Sequence, residues 1–513
     1  MEKLIVYQLF PRIFTNANPH CEPWGTLERN GSGKLNDITP GVIRSIKELG
    51  VNCLWLTGVI EHATKSDFSP YGIAPDNPNV VKGEAGSPYA IKDYYDVDPA
   101  LAVDVDNRMG EFEALVKRIH KEKMKVLLDF VPNHTARRYH SDVAPAGITD
   151  FGAEDNIGMC FSPTNNYYYI TNQQFQPDFD ISSEGKEPYV EFPAKATGND
   201  CFTAFCHKTD WYETVKLNYG HDYGDNSDHF DPVPPTWLKM LHILRFWAAK
   251  GVDGFRCDVA PLVPLEFWKQ AREEVAAVRP GCFWLCESVE RGFHVAARAQ
   301  GFASLSDAEL YQAFDAAYDY DVYPYFRDYL EGTITLAQYA DRLDAQEWLY
   351  PDNYVKLRFL ENHDRARAAH ILPDETVRRN WTAFNYFQRG LTLVYAGQEV
   401  DDPHVPSLFD KDPVHWQTGR DQSDFLTRLA AIKRDPIFAE GSYTLTALPH
   451  DVLLAVYEQN GRRVAGLFSL RGASALVRFP APNGVYHDSI TGRPVEIYEN
   501  QLATDGQPLI LEL

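Results

Sequence analysis

At 513 residues, 44% of them hydrophobic and 24% charged, the chain has an ordinary globular composition and enough length for a large core and more than one domain. Its formal net charge of −23 argues against nucleic acid or an anionic membrane as a partner. No segment approaches the ~18 uninterrupted apolar residues of a transmembrane helix, and the 10 Trp, 28 Tyr and 29 Phe are first of all core material, compatible with a carbohydrate ligand without requiring one.

The N-terminus, "MEKLIVYQLFPRIF", has one Lys and a short apolar run stopped by Pro11 and Arg12, which reads as a first strand (Leu4–Phe10) and not as a secretory signal. Further β-rich apolar runs follow at Val51–Gly58, Met124–Val131, Val252–Val259, Cys282–Val289, Val355–Asn362 and Leu391–Gln398. Helical patterns separate them at Pro40–Leu49, Arg108–Glu122, Pro235–Lys250, Leu265–Val278 and Glu375–Arg389. This alternation predicts a parallel sheet with helices outside. Seven clear strands and a weaker candidate near Glu309–Phe314 predict an α/β fold of the (β/α)8 TIM-barrel type. An open dinucleotide-binding sheet would show a glycine fingerprint after its first strand, and none is present. The strands also end in Asp129, Asp258, Glu287, His363 and Asp364, as expected where a barrel gathers its active site.

Two regions break the alternation. The stretch from Ala136 to about Asp210 is rich in Tyr, Asn, Asp, Gly and Pro and too long for a plain loop, so it predicts a small excursion domain after the third strand. From about Pro436 onward, short alternating runs such as "DVLLAVYEQ" and "RRVAGLFSL" predict an antiparallel β-sandwich. The expected division is therefore a barrel over 1–135 and 211–435, an excursion domain over 136–210 and a C-terminal sandwich over 436–513. The eight cysteines are scattered, several inside strands where a cysteine serves as a small buried hydrophobe. Only Cys201 and Cys206 are placed to bridge a loop. Free thiols in a reduced cytoplasmic setting are the expectation, a removed leader peptide being the alternative.

"GFRCDV" (Gly254–Val259) sets Arg256 and Asp258 two residues apart in a strand, on one face. Taken alone, the pair reads most simply as a structural ion pair at a strand end. It also suits a carboxylate kept ionised beside a fixed positive charge, as a nucleophile needs. Glu287 ends the next strand behind apolar Phe283, Trp284 and Leu285, a setting that raises a carboxyl pKa toward that of a general acid.

Four stretches then line up in order: "DFVPNH" (Asp129–His134), "GFRCDV", "CESV" (Cys286–Val289) and "ENHD" (Glu361–Asp364). With "VYQLFPRIF" and "SPYAIKDYYDVDP" (Ser87–Pro99), they closely resemble the α-amylase family of glycoside hydrolases (family 13), and the resemblance runs through the whole chain. It implies Asp258 as nucleophile, Glu287 as proton donor and Asp364 as the third carboxylate, binding sugar hydroxyls. It further implies that His134 and His363 donate hydrogen bonds to the sugar at the cleavage site, on which the Tyr89 ring stacks. Such an enzyme would hydrolyse α-1,4 bonds of an α-glucan substrate with retention of configuration. The alternatives are an α-glucosidase, a neopullulanase or cyclomaltodextrinase, or a transglycosylase with the same triad. A non-catalytic sugar-binding relative is more remote, since all three carboxylates are kept.

The departures from the family pattern bear on cofactors. Asn133 matches a family calcium ligand, though asparagine after proline is also a common turn residue. The segment returning from the excursion reads as "TVKLN" (Thr214–Asn218), with Lys216 where calcium-dependent members carry a ligating Asp. The similar "QPDFD" (Gln176–Asp180) lies farther from the Asp258 strand and is set aside as a decoy. Pro261 and Leu262 replace a Lys-His pair, and "KLN" with "DVA" leans toward the neopullulanase-like branch, without that branch's extra N-terminal domain. No cofactor is expected, and no calcium at the usual site. The acidic run "HDYGDNSDHFD" (His221–Asp231) reads as a solvated loop, with metal binding as the alternative.

Overall fold

The computed structural model describes residues 4–182 and 187–513. Eight parallel strands close into a barrel: β1 Ile5–Leu9, β2 Cys53–Leu56, β3 Lys125–Phe130, β4 Gly254–Cys257, β5 Phe283–Cys286, β6 Ala316–Tyr318, β7 Lys356–Arg358 and β8 Leu391–Tyr395. They follow one another around the barrel in chain order, and β1 closes against β8. Almost every strand residue is buried, because side chains on one face fill the barrel and those on the other meet the helices. That is why the strands read as continuous apolar runs. Gly254 opens β4 where no side chain fits, since a Cβ there would lie 2.3 Å from the Phe283 carbonyl oxygen.

The helices outside bury one stripe each. Arg108–Lys121 turns Phe112, Leu115, Val116 and Ile119 inward, the spacing of a helical face. One expectation needs correction. The sixth strand is Ala316–Tyr318, not Glu309–Phe314, because Ser306 and Glu309 form a capping box that starts a short helix at Asp307–Leu310.

Two insertions cover the C-terminal mouth. After β2 an antiparallel hairpin pairs Ile60–His62 with Ile91–Val97, and Tyr89 sits just before its second strand. After β3 the chain leaves through His134–Ala136 and returns through Thr214–Lys216, which pair antiparallel with His134 opposite Lys216. Beyond the barrel, strands of residues 442–512 form two four-stranded antiparallel sheets around Val452, Leu467, Val477, Ile497 and Leu509. The strand Pro494–Tyr498 alternates exposed and buried residues, the period-two pattern of a sheet with one wet face. Among the described residues no helix is long and apolar enough to cross a membrane.

Candidate active site

Strand register builds the site. Arg256 on β4 pairs with Asp129 on β3, and Cys257 pairs with Cys286 on β5. The next residue on each of the latter strands, Asp258 and Glu287, therefore emerges at the barrel mouth beside the other. Arg256 is fully buried beneath them. Its Nη1 donates to Asp258 Oδ1 at 2.8 Å, its Nη2 lies 3.0 Å from Glu287 Oε2, and Asp129 Oδ1 is 3.5 Å away. The rings of Trp55, Tyr89 and Tyr318 surround the guanidinium at 5.3–5.4 Å, and the Tyr318 hydroxyl accepts from its Nε. One cation thus serves three carboxylates in a dry, aromatic setting.

The turn after β4 ties nucleophile candidate to acid candidate. Val259 has φ +35°, a left-handed conformation costly for a β-branched residue. It points the Val259 N–H at Glu287 Oε2, 2.9 Å away. Burial, and then the charge of Glu287, push the Asp258 carboxyl well above the ordinary carboxylate range, with Arg256 opposing. The expectation that Arg256 by itself keeps Asp258 ionised is thereby modified. Arg256 is shared with a second buried carboxylate, Glu287, so its charge is divided between the two. Asp129 is likewise pushed up, to about 7, by burial, although Arg256 and the Trp55 indole N–H pull against it.

The two histidines are neutral hydrogen-bonding groups. Burial pushes both down to about 3, helped by Lys216 for His134 and by Arg256 for His363. His134 Nε2 lies 4.0 Å from Asp258 Oδ2. His363 Nε2 lies 2.5 Å from the Tyr89 hydroxyl and 3.2 Å from Asp364, while the Gln8 amide holds its Nδ1 at 2.7 Å. Tyr89, His134, Asp258, Glu287 and Asp364 all line one open cleft of about 610 Å³. The seven residues singled out from the sequence are therefore together, with Arg256 as the floor and His363 behind Tyr89.

Sequence reasoning assigned no specific role to several residues in or near this cleft. Asp129 was read only as a strand-end acid of a quoted motif, and its register opposite Arg256 was the available signal for more. Trp211, beside His134 at 5.2 Å, precedes the return strand by a few residues. Leu408 and Phe409 come from an irregular loop after β8, and nothing in its sequence marks it.

Where the resemblance implies a calcium ligand, Lys216 donates to Asn133 Oδ1 and pairs with Asp200 at 2.7 Å, all three side chains being buried. The Asn133 and Asp200 oxygens thus both hold the Lys216 ammonium. In "QPDFD", Asp178 pairs with the exposed His207, and Asp180 accepts the Ser182 N–H. In the acidic run, His221 pairs with Asp228 across a short hairpin. All eight cysteines are free thiols.

The family model for the alpha amylase catalytic domain matches residues 8–440. The chain belongs to the α-amylase family. A bacterial alpha amylase C-terminal domain model matches residues 444–511, the sandwich. The fold superposes on an α-amylase from Lactobacillus plantarum with a TM-score of 0.76 at 30% identity, covering 99% of this chain and 98% of that one. It is also similar to a maltogenic α-amylase, AmyB, from Thermotoga neapolitana, with a TM-score of 0.69 at 24% identity over 100% and 99% of the two chains. Among curated proteins, Alpha-amylase 2 of Dictyoglomus thermophilum is 19% identical over 98% of this chain and 74% of its own length. The intracellular maltogenic amylase of Bacillus subtilis is 23% identical over 85% of this chain, which spans 62% of that relative. As a member of the α-amylase family, this protein is a glycoside hydrolase.

Proposed function

We propose that this α-amylase family enzyme cleaves α-1,4-glucosidic bonds of starch-derived malto-oligosaccharides by double displacement. The observation that carries this reading is the Arg256 fork, which reaches Asp258 at 2.8 Å and Glu287 at 3.0 Å. One guanidinium spans two carboxylates only when they are close, and retaining glycosidases use a short separation of about 5 Å. The names of relatives agree in substrate class: α-amylases, maltogenic amylases and a cyclomaltodextrinase.

In the first step an Asp258 oxygen attacks the anomeric carbon while Glu287 gives its proton to the glycosidic oxygen, and the leaving glucan departs as an alcohol. Asp258 enters this step as the carboxylate hydrogen-bonded to Arg256. Asp364 and the neutral His134, both lining the cleft, hold the hydroxyls of the distorted sugar, with Tyr89 as its apolar platform and His363 behind it. In the second step the Glu287 carboxylate takes a proton from water, the hydroxide oxygen attacks the anomeric carbon, and the bond to Asp258 breaks. Two inversions leave the α-anomer. Proton NMR of fresh product from maltoheptaose tests this: α appears first, and β-anomer first would refute the mechanism.

A second reading has its own observation. Val259, Leu262 and Val289 cluster with Trp211 and Phe293 beside the acid pair, an apolar wall on the cleft. Such a wall favours a sugar over water as acceptor, so transglycosylation accompanies hydrolysis.

A further inference from the structure

The loop that follows β8 carries a cluster outside the catalytic machinery. His404 and His415 lie face to face, ring centroids 4.1 Å apart and 13° from parallel. His404 Nε2 is 2.9 Å from both oxygens of Asp412. A ring nitrogen of each histidine and an Asp412 oxygen all lie within 4.8 Å of one another. We propose that His404, Asp412 and His415 bind a divalent transition metal of the zinc type, which clasps the base of a loop forming one wall of the substrate cleft.

The donor chemistry selects the metal. Two imidazoles and a carboxylate suit zinc and its neighbours, whereas calcium takes oxygen donors almost exclusively. With metal–ligand bonds of about 2.0–2.1 Å, adjacent donors on one ion sit ~3 Å apart, close to the separation of His404 and Asp412 here. Half-exposed His415 leaves the remaining coordination positions open to water.

The support behind the ligands is built in. Asp402 is buried, and its two oxygens accept the backbone N–H of His404 at 2.9 Å and of His415 at 3.0 Å. One carboxylate therefore brings the two ends of the loop side by side and sets the rings in register, as outer partners of metal ligands do. Asp412 in turn accepts the Ser407 N–H. Between the two histidines, Leu408 and Phe409 line the cleft, and their carbonyls accept from Arg12 and from the Ala85 N–H. Fixing the loop base fixes this wall.

The test uses the full chain stripped with a chelator and dialysed. Zinc chloride titrated calorimetrically should bind at one equivalent per chain with micromolar or tighter affinity. Cobalt should give a visible ligand-field band. His415→Gln keeps the backbone contact to Asp402 and removes a half-exposed ring stacked on His404, so it should fold normally. It should nonetheless lose at least about tenfold in zinc affinity, with the cobalt band altered. Zinc should also slow amide exchange across residues 404–415 in the wild type and not in the variant. Absence of stoichiometric zinc uptake, or full-affinity uptake by His415→Gln, overturns the site. Uptake at the site without slowed exchange overturns the clasp.

Discussion

Lys216 and Asp200 form a buried ion pair, Nζ to Oδ1 2.7 Å, that joins the returning strand to the excursion it leaves. With Asn133 accepting from the same ammonium, the contact reaches from the end of β3 into the insertion. We expect Lys216→Met to strand a buried carboxylate and lower stability by about 3–5 kcal/mol, seen as a fall in Tm and in denaturant midpoint. With the Asn133 and Asp200 oxygens engaged by this ammonium, we expect kcat of the chelated enzyme to be the same with and without added calcium. Lost activity that calcium alone restored would place the ion there after all.

The acid cluster gives the sharpest expectation about turnover. Asp258→Asn, Glu287→Gln and Asp364→Asn should each reduce kcat by about a thousandfold or more, since each removes a charge or proton used in the reaction itself. Each swap nearly keeps its volume, so far-UV circular dichroism and Tm should change little. Near-normal turnover in Asp258→Asn would move the nucleophile elsewhere.

His363 makes stability depend on pH in a defined direction. Its imidazole is pushed down to about 3 in the fold by burial and by Arg256, against about 6.5 in the unfolded chain. Between these values the unfolded state binds a proton that the native state refuses. The resulting contribution is present in full above pH ~6.5 and is lost as pH falls toward 3, at up to about 1.4 kcal/mol per pH unit. Relative to His363→Gln, the wild type should therefore lose stability on acidification over this window. A wild-type minus variant Tm difference that stays flat from pH 7 to 4 would mean that the buried ring is protonated.

What the sequence displayed follows from periodicity and position. Strands buried on both faces appear as apolar runs, and the acids at their ends are read by counting, so Asp258 and Glu287 at neighbouring strand ends were legible in the sequence, while their roles followed from the resemblance to the α-amylase family. β6 was misplaced because it is only three residues long and follows a capped helical turn that mimics apolar strand material. The left-handed Val259 left no signal, since nothing in "DVA" predicts a strained turn that aims an N–H at Glu287. The Leu408–Phe409 wall and the paired His404 and His415 were equally invisible. Their proximity depends on Asp402 joining the two ends of an irregular loop, a contact without a periodic trace in the sequence.

Trp211 should decide how the covalent intermediate is resolved. Its ring lies 5.2 Å from His134 and packs with Phe293 against Val259, Leu262 and Val289. Val259 donates its N–H to Glu287, the group proposed to protonate the leaving sugar and later activate the acceptor, so this apolar wall borders the path proposed for both. An indole offers a flat surface to the apolar face of a sugar and nothing comparable to a water molecule. Removing it in Trp211→Ala should weaken acceptor sugar binding by about 1.4 kcal/mol, a factor of ten, while leaving Asp258 and Glu287 in place. At high maltotriose concentration the ratio of transfer to hydrolysis products should then fall by about that factor, with the rate of bond cleavage reduced less. Equal product ratios in the variant and the wild type would show that the wall does not bind the acceptor, and that water and sugar compete for the intermediate on other terms.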